Sequence, residues 1–223
     1  MAPRVITLSD IRDDPQVVTY LKYGHAHLGA MGFTEHGFRH AALVANIAHN
    51  IMERLGYRER DAELACIAGY LHDIGNVISR EDHGQTGALM AMSLLEKRGM
   101  PFEEIAVVSA AIGNHEEQYG VAVNPIAAAL ILADKSDVHR SRVRNRDLAT
   151  FDIHDRVNYA VVHSFVRVDT DARSVTLELT IDQEVSSIMD YFEIFLIRMV
   201  MCRRAAEMLQ ARFSIVINGS RLL

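Results

Sequence analysis

Residues 68–75 read Ala68-Gly69-Tyr70-Leu71-His72-Asp73-Ile74-Gly75, placing an imidazole and a carboxylate side by side at the end of an apolar helical pattern. The pattern predicts a helix from about Arg60 to Ile74. Leu64, Ala65, Ile67, Ala68, Tyr70 and Leu71 make it apolar on almost every side, so it is expected to be central and buried. Gly75 reads as its C′ residue. An ionisable pair in such a place is costly without compensating groups. The fold must therefore bring partners to His72 and Asp73.

Upstream, Phe38, Ala41, Ala42, Ala45, Ala48, Ile51, Met52 and Leu55 recur at three- and four-residue steps, which predicts a helix from Glu35 to Leu55 stopped by Gly56. Downstream, helices are expected over His83–Lys97, from Pro101 or Phe102 to about Asn114, and from Pro125 to about Asp137, with Arg98-Gly99 ending the first of them. After about Thr150 the character changes. Ala160–Val168 and Ser174–Ile181 read as two strands joined by a turn at Asp169–Arg173. A long helix over about Gln183–Gln210 and a short strand over Phe213–Ile217 follow. The reading is a mainly α chain: a helical domain over residues 1–150 and a smaller α+β element over 151–223, built of a short antiparallel sheet and the long helix.

Polar groups recur on these core-forming helices: His40 lies within one, His83 opens one, His115 ends one, and Asp134 follows the apolar run Pro125–Ala133. Imidazole and carboxylate together suit a divalent metal such as iron, manganese, zinc or cobalt, and the scarcity of thiols speaks against a structural zinc knot. Two ions a few ångströms apart can orient and acidify water and hold both the attacking and the leaving oxygen of a phosphoryl group. Asp73 is the candidate bridge between them.

The ordered set His40, His72-Asp73, His83, His115 and Asp134, with the flanks Arg39-His40, Ala68–Gly75, Gly113-Asn114-His115 and Ala133-Asp134-Lys135, resembles the HD superfamily of metal-dependent phosphohydrolases over roughly residues 33–145. The resemblance implies an HD-type helical domain in which His40, His72, Asp73 and Asp134 hold a first divalent metal. His83 and His115 resemble those of members that hold a second ion sharing Asp73, so one or two ions are implied, of iron, manganese, cobalt, zinc or magnesium; with a single ion, His83 and His115 are expected to hold substrate phosphate instead. It further implies hydrolysis of a phosphate ester or anhydride of a nucleotide or other small phosphorylated metabolite. Asp73, His83, His115 and Lys135 are the expected catalytic set; Lys135, beside Asp134, and Arg140 and Arg144, whose guanidinium groups suit phosphate, are the expected substrate-binding set. Replacement of Lys135 by Ala is expected to raise KM with metal content unchanged. Two positions depart from the family pattern. Asn76 stands where many members have lysine, and His115-Glu116 replaces the adjacent histidines of cyclic-dinucleotide phosphodiesterases. The same ligands also suit an HD-fold di-iron oxygenase or a non-catalytic metal- or nucleotide-binding sensor.

Other features bound the function. The sequence has 223 residues, with 49% hydrophobic and 23% charged residues, as expected of a globular protein rather than a disordered or disulfide-rich one. A net charge of −6 gives no footprint for general nucleic-acid binding, and no stable nucleic-acid complex is expected. No apolar run reaches the roughly 20 residues of a membrane span. Residues 1–14 do not read as a signal peptide, so a cytoplasmic location is expected. Cys66 and Cys202 read as unpaired, inert thiols. His36 falls at a helix start and reads as structural or solvated. Ile188, Tyr191, Phe192, Phe195, Ile197, Met199 and Met201 make the long C-terminal helix apolar over most of its circumference, which predicts packing on a second subunit and a homodimer.

Overall fold

The computed structural model describes residues 5–222. Two helices precede those expected, α1 (Leu8–Arg12) and α2 (Pro15–Ala30). The Asp14 side chain accepts from the amides of Gln16 and Val17 and Pro15 takes the first turn, which is ordinary helix-start chemistry. The predicted helices follow as α3 (Phe38–Arg54), α4 (Glu59–Leu71), α5 (His83–Lys97), α6 (Phe102–Gly113) and α7 (Pro125–Ser136). Gly56 and Gly99, read as stops, do take positive φ, at 80° and 78°.

The antiparallel pair α3 and α4 forms the heart of the domain. Ala41, Val44, Ala45 and Ala48 meet Ala65, Ala68 and Gly69, all buried, and a Cβ added at Gly69 would lie 2.8 Å from the Cα of Ala45. Small side chains thus let the two backbones approach closely enough to oppose His40 and His72. α4 is buried on nearly all sides, as expected, but it stops at Leu71 rather than Ile74. His72 and Asp73 lead into a 3₁₀ turn, Ile74–Val77. Gly75 is not a left-handed cap. Any Cβ there would collide with the backbone of His83 and Gly87 on α5, so glycine is required for close packing. The other side of the turn is closed by α2, where a Cβ at Gly24 would be 3.1 Å from the Val77 amide.

After a short unpredicted helix, α8 (Ile153–Ala160), come β1 (Val161–Asp169), β2 (Ser174–Ile181), α9 (Ile188–Met208), β3 (Arg212–Ile217) and β4 (Ser220–Arg221). α9 begins five residues later than expected, at a capping box formed by Ser187 and Asp190. The sheet has order β1-β2-β3-β4. β1 and β2 form the expected antiparallel hairpin, whereas β3 runs parallel to β2. The sheet is therefore mixed rather than wholly antiparallel, because the α9 crossover returns the chain to the end of the sheet where β2 began. Val175, Leu177, Leu179 and Ile181 of β2 are buried, and one hydrophobic core runs from Ile6 to Ile217, continuous across position 150. Among the described residues no helix is long and apolar enough to cross a membrane.

Candidate metal centre

Four imidazoles reach one point from four elements: His40 from α3, His72 from the end of α4, His83 from the first turn of α5 and His115 from just beyond α6. All four are buried. Each uses Nδ1 on a fixed acceptor. His72 donates to the Gly69 carbonyl at 2.7 Å, His83 to that of Arg80 at 3.0 Å and His115 to that of Ile112 at 2.6 Å. His40 donates to Asp137 Oδ2 at 2.7 Å. In three of the four the acceptor lies three residues earlier in the chain, so the tautomer is set locally. With the proton assigned to Nδ1 by these contacts, each Nε2 presents a bare lone pair.

These lone pairs face one another. His40 Nε2 is 3.2 Å from His72 Nε2, and His83 Nε2 is 3.1 Å from His115 Nε2. Neither pair has a proton to share, so each is repulsive unless a cation lies between. The carboxylates complete the arrangement. Asp73 Oδ2 is 3.6 Å from His40 Nε2 and 3.4 Å from His72 Nε2, while Asp73 Oδ1 is 3.3 Å from His83 Nε2. Asp134 Oδ1 is 3.4 Å and 3.6 Å from the Nε2 atoms of His40 and His72. With metal–ligand bonds of about 2.0–2.1 Å, neighbouring donors stand about 2.8–3.4 Å apart in octahedral or tetrahedral sites. The observed separations, 3.1 to 3.6 Å, run from within that spacing to slightly beyond it. Asp73 Oδ2 is buried and makes no hydrogen bond among the described residues, an orphan that a cation would satisfy. Two compatible donor groups, His40/His72/Asp134 and His72/Asp73/His115, have all their ligand atoms within 4.8 Å.

Protonation states also fit a cation. Burial opposes charge on Asp73, but His72 and His83 outweigh it and hold the carboxyl well below its ordinary range. Asp134 is likewise held low against burial, by Lys135 and His40. Burial and the neighbouring His72 push His115 well below the usual imidazole value, leaving it a neutral ligand. Burial works against a charge on His72, yet Asp73 and Asp134 draw its pKa upward. That negative field is what a metal ion would meet.

A surrounding layer holds the donors. Asn76, where the family pattern has lysine, donates Nδ2 to Asp73 Oδ1 at 2.9 Å. Glu116 accepts from the Gly84 amide at 2.6 Å and lies 3.3 Å from His83 Nδ1. Asp137 fixes His40 and is itself held by the Arg39 guanidinium at 2.8 Å. Burial disfavours the Asp137 carboxylate, but His40 and Arg142 keep its pKa well below the ordinary range. Ligands backed by carboxylates and carbonyls in this way are oriented and made more basic.

The donors open onto a cavity of about 200 Å³ lined by Asp73, His83, His115, Asp134 and Lys135 together with His36, Arg80, Arg142 and Arg198. A larger groove of about 540 Å³ lies between α3 and β1, and none of the six donor residues lines it. The predicted set His40, His72, Asp73, His83, His115, Asp134 and Lys135 is thus brought together. Lys135 differs in one respect from the expectation: Nζ lies 2.7 Å from Asp134 Oδ2 and 3.4 Å from Glu117, so it braces a donor and is not independent of the metal site.

Arg140 and Arg144 are not part of the cavity. Arg140 lies over the Tyr159 ring, 5.0 Å from its centroid, and 3.9 Å from Asp182. Arg144 donates to His25 Nδ1 and to the His25 carbonyl, at 2.8 and 3.0 Å. Residues 140–142 form a 3₁₀ turn, which rotates successive side chains by about 120° and sends Arg142 inward instead. His36, read as structural or solvated, lines the cavity one turn before His40. Its Nδ1 is 2.8 Å from the Thr34 carbonyl, and burial and Arg142 hold its pKa well below the imidazole norm. Arg80 was not singled out in the sequence. Its Nη1 is 3.5 Å from both Asn76 Oδ1 and His83 Nε2, so a cation arrives from the following loop where lysine is missing at position 76. No local pattern announces it, since its reach depends on the 3₁₀ turn.

The model of the family described as HD domain matches residues 37–193. An uncharacterized protein of Methanocaldococcus jannaschii is 26% identical over 206 residues, covering 82% of this chain and 78% of its own length.

Proposed function

The chain belongs to the HD domain family, whose members are generally metal-dependent hydrolases, and on that premise we propose that it is a metal-dependent phosphohydrolase acting on a small phosphorylated compound. The observation that carries this reading is the two-sided carboxylate of Asp73. One oxygen faces His40 and His72 and the other faces His83, beneath a cavity in whose wall Arg80, Lys135, Arg142 and Arg198 stand among the carboxylates Glu116 and Glu117. His40, His72, Asp73 and Asp134 would hold one ion, and Asp73, His83 and His115 a second. When bound, such ions supply Lewis acidity toward a phosphoryl oxygen and acidify water at neutral pH.

The chain's own groups do the rest. Asp137, Glu116 and Asn76 keep His40, His83 and Asp73 in place, so no reorganisation is needed as charge develops. Arg142 spends its guanidinium on the carbonyls of Glu35 and Asp137, and contributes charge rather than hydrogen bonds. Arg80 lines the cavity and is placed to grip non-bridging phosphoryl oxygens, while Arg198, paired with Glu117 at 2.6 Å, adds positive charge to the wall. Neutral His36 offers an acceptor toward the incoming water or the leaving hydroxyl.

The test is phosphate release from p-nitrophenyl phosphate and a panel of nucleotides by protein loaded with Mn²⁺, Fe²⁺, Co²⁺ or Mg²⁺, with Asp73→Ala as control. Metal-dependent release that disappears in the variant is expected. Metal-loaded protein that releases no phosphate from any compound contradicts the reading, and oxygen consumption by an iron-loaded sample in its place favours a di-iron oxygenase.

A further inference from the structure

Beyond the metal-centre cavity lies a second one, of about 320 Å³, and the two meet at His36, Arg80, Arg142 and Arg198. We infer that together they form one substrate cleft whose outer chamber takes a neutral, hydroxyl-bearing leaving group, so that the substrate is the phosphomonoester of a polyhydroxylated alcohol and not a polyphosphate anhydride. The inference rests on the phosphohydrolase reading of the metal centre and adds the substrate class to it.

The distribution of charge along the cleft decides between ester and anhydride. The cations Arg80, Arg142 and Arg198 stand where the chambers meet, next to the donors, which is where one phosphoryl group would be neutralised. The inner chamber balances its carboxylates, Asp73, Glu116, Glu117 and Asp134, with Lys135 and the three arginines. Past that line the described lining presents the carboxylates Asp152 and Asp155 with the imidazole of His154 and the amide of Asn158, and no lysine or further arginine. A chain of phosphates running outward from the metal centre would meet two like charges, an arrangement that excludes it. A hydroxyl-rich group meets acceptors instead. Asp152 Oδ1 accepts from the Asp155 amide at 2.7 Å and Asp155 Oδ2 from Asn145 at 3.3 Å. An ionised carboxylate has about four acceptor sites over its two oxygens, so each retains capacity for a hydroxyl donor. Phe33 adds a flat apolar wall, with the Arg80 guanidinium over its ring at 5.5 Å, against which the carbon face of a sugar ring can lie.

Hydrolysis then forms one P–O bond from water and breaks the P–O bond to the alcohol. One water proton goes to the alkoxide oxygen, and inorganic phosphate and the free alcohol leave. A substrate of this class is supplied by a reaction that phosphorylates a polyol or liberates a phosphorylated one.

The experiment compares kcat/KM for ribose 5-phosphate and inorganic tripolyphosphate, using manganese-loaded protein and its Asp152→Asn/Asp155→Asn double variant, with ribose 5-phosphate binding followed by calorimetry. The wild type is expected to prefer ribose 5-phosphate. The double variant should lower that selectivity ratio about ten-fold or more, because hydrogen bonds to charged acceptors are lost and repulsion of phosphate is relieved. Preference of the wild type for tripolyphosphate overturns the inference. So does a variant that slows both substrates equally, as a purely structural role would. Ribose 5-phosphate that binds in a manner sensitive to the double substitution, yet releases no phosphate, supports the cleft and overturns the hydrolase reading alone. Absence of both binding and turnover overturns the two together.

Discussion

Asp73 is the residue on which the site depends, and its neighbours show how a buried charge is arranged to be useful. Its oxygens lie among two pairs of imidazoles whose Nδ1 protons are all directed outward, so the four Nε2 atoms face one another without a proton between them. The outward partners are therefore as informative to mutate as the donors. Asp137→Asn keeps the shape but removes the carboxylate behind His40, and metal affinity is expected to fall about 10- to 100-fold, read by competition with a chromogenic chelator. Unchanged affinity would show that Asp137 serves only to hold Arg39 and Arg142. Lys135→Ala should both raise KM and lower metal occupancy, because its ammonium braces Asp134 at 2.7 Å. A rise in KM at full metal content would separate the two roles. The cysteines make a contrasting case. Burial pushes the thiols of Cys66 and Cys202 up to about 12, and both lie in the core. Native protein should leave a disulfide reagent unreacted until denaturant is added, whereas rapid labelling of two thiols would contradict their placement.

At the scale of the element, the site exists because helices approach each other at small residues. Gly69 sits against Ala45, and its carbonyl also receives the His72 proton. Gly69→Ala should cost about 1–3 kcal/mol of stability through overpacking, measured by urea denaturation, since the atom it meets is backbone and cannot turn aside. A neutral effect would mean that the α3–α4 contact is looser than described. The five helices from α3 to α7 were legible in sequence because an apolar stripe at helical spacing must be buried, and the donors were legible because polar groups interrupt it. What was not legible follows from the same physics. Gly75 resembles a helix cap in sequence, and only the approach of α5 reveals its purpose. Arg80 and the inward turn of Arg142 depend on two 3₁₀ segments, whose side-chain directions no periodicity encodes, and His36 is set by a loop contact with the Thr34 carbonyl. The helix α2 carries a clear start at Asp14-Pro15 but only a weak apolar stripe, so its sequence does not announce a core helix.

For the whole molecule, the sheet and α9 do not stand apart from the helices: Tyr191, Phe195, Met199 and Cys202 enter the same core as α7. The opposite side of α9 exposes Met189, Leu196 and Ile197, and Ile197 borders Val121 along a shallow cleft of about 110 Å³. Apolar surface of this kind commonly marks an interface, and light scattering is expected to give the mass of a dimer. A monomer mass would make it ordinary surface. Because the donors come from widely separated points in the chain, metal should bind the folded state far better than the unfolded one, and Tm should rise with metal concentration and drop with chelator. The most direct measurement is the metal content per chain after reconstitution with Mn²⁺ or Fe²⁺ and removal of free ion, for the wild type and for Asp73→Ala. The two-sided carboxylate predicts two ions per chain in the wild type and their loss in the variant. No retained metal, or a content indifferent to Asp73, would contradict the account.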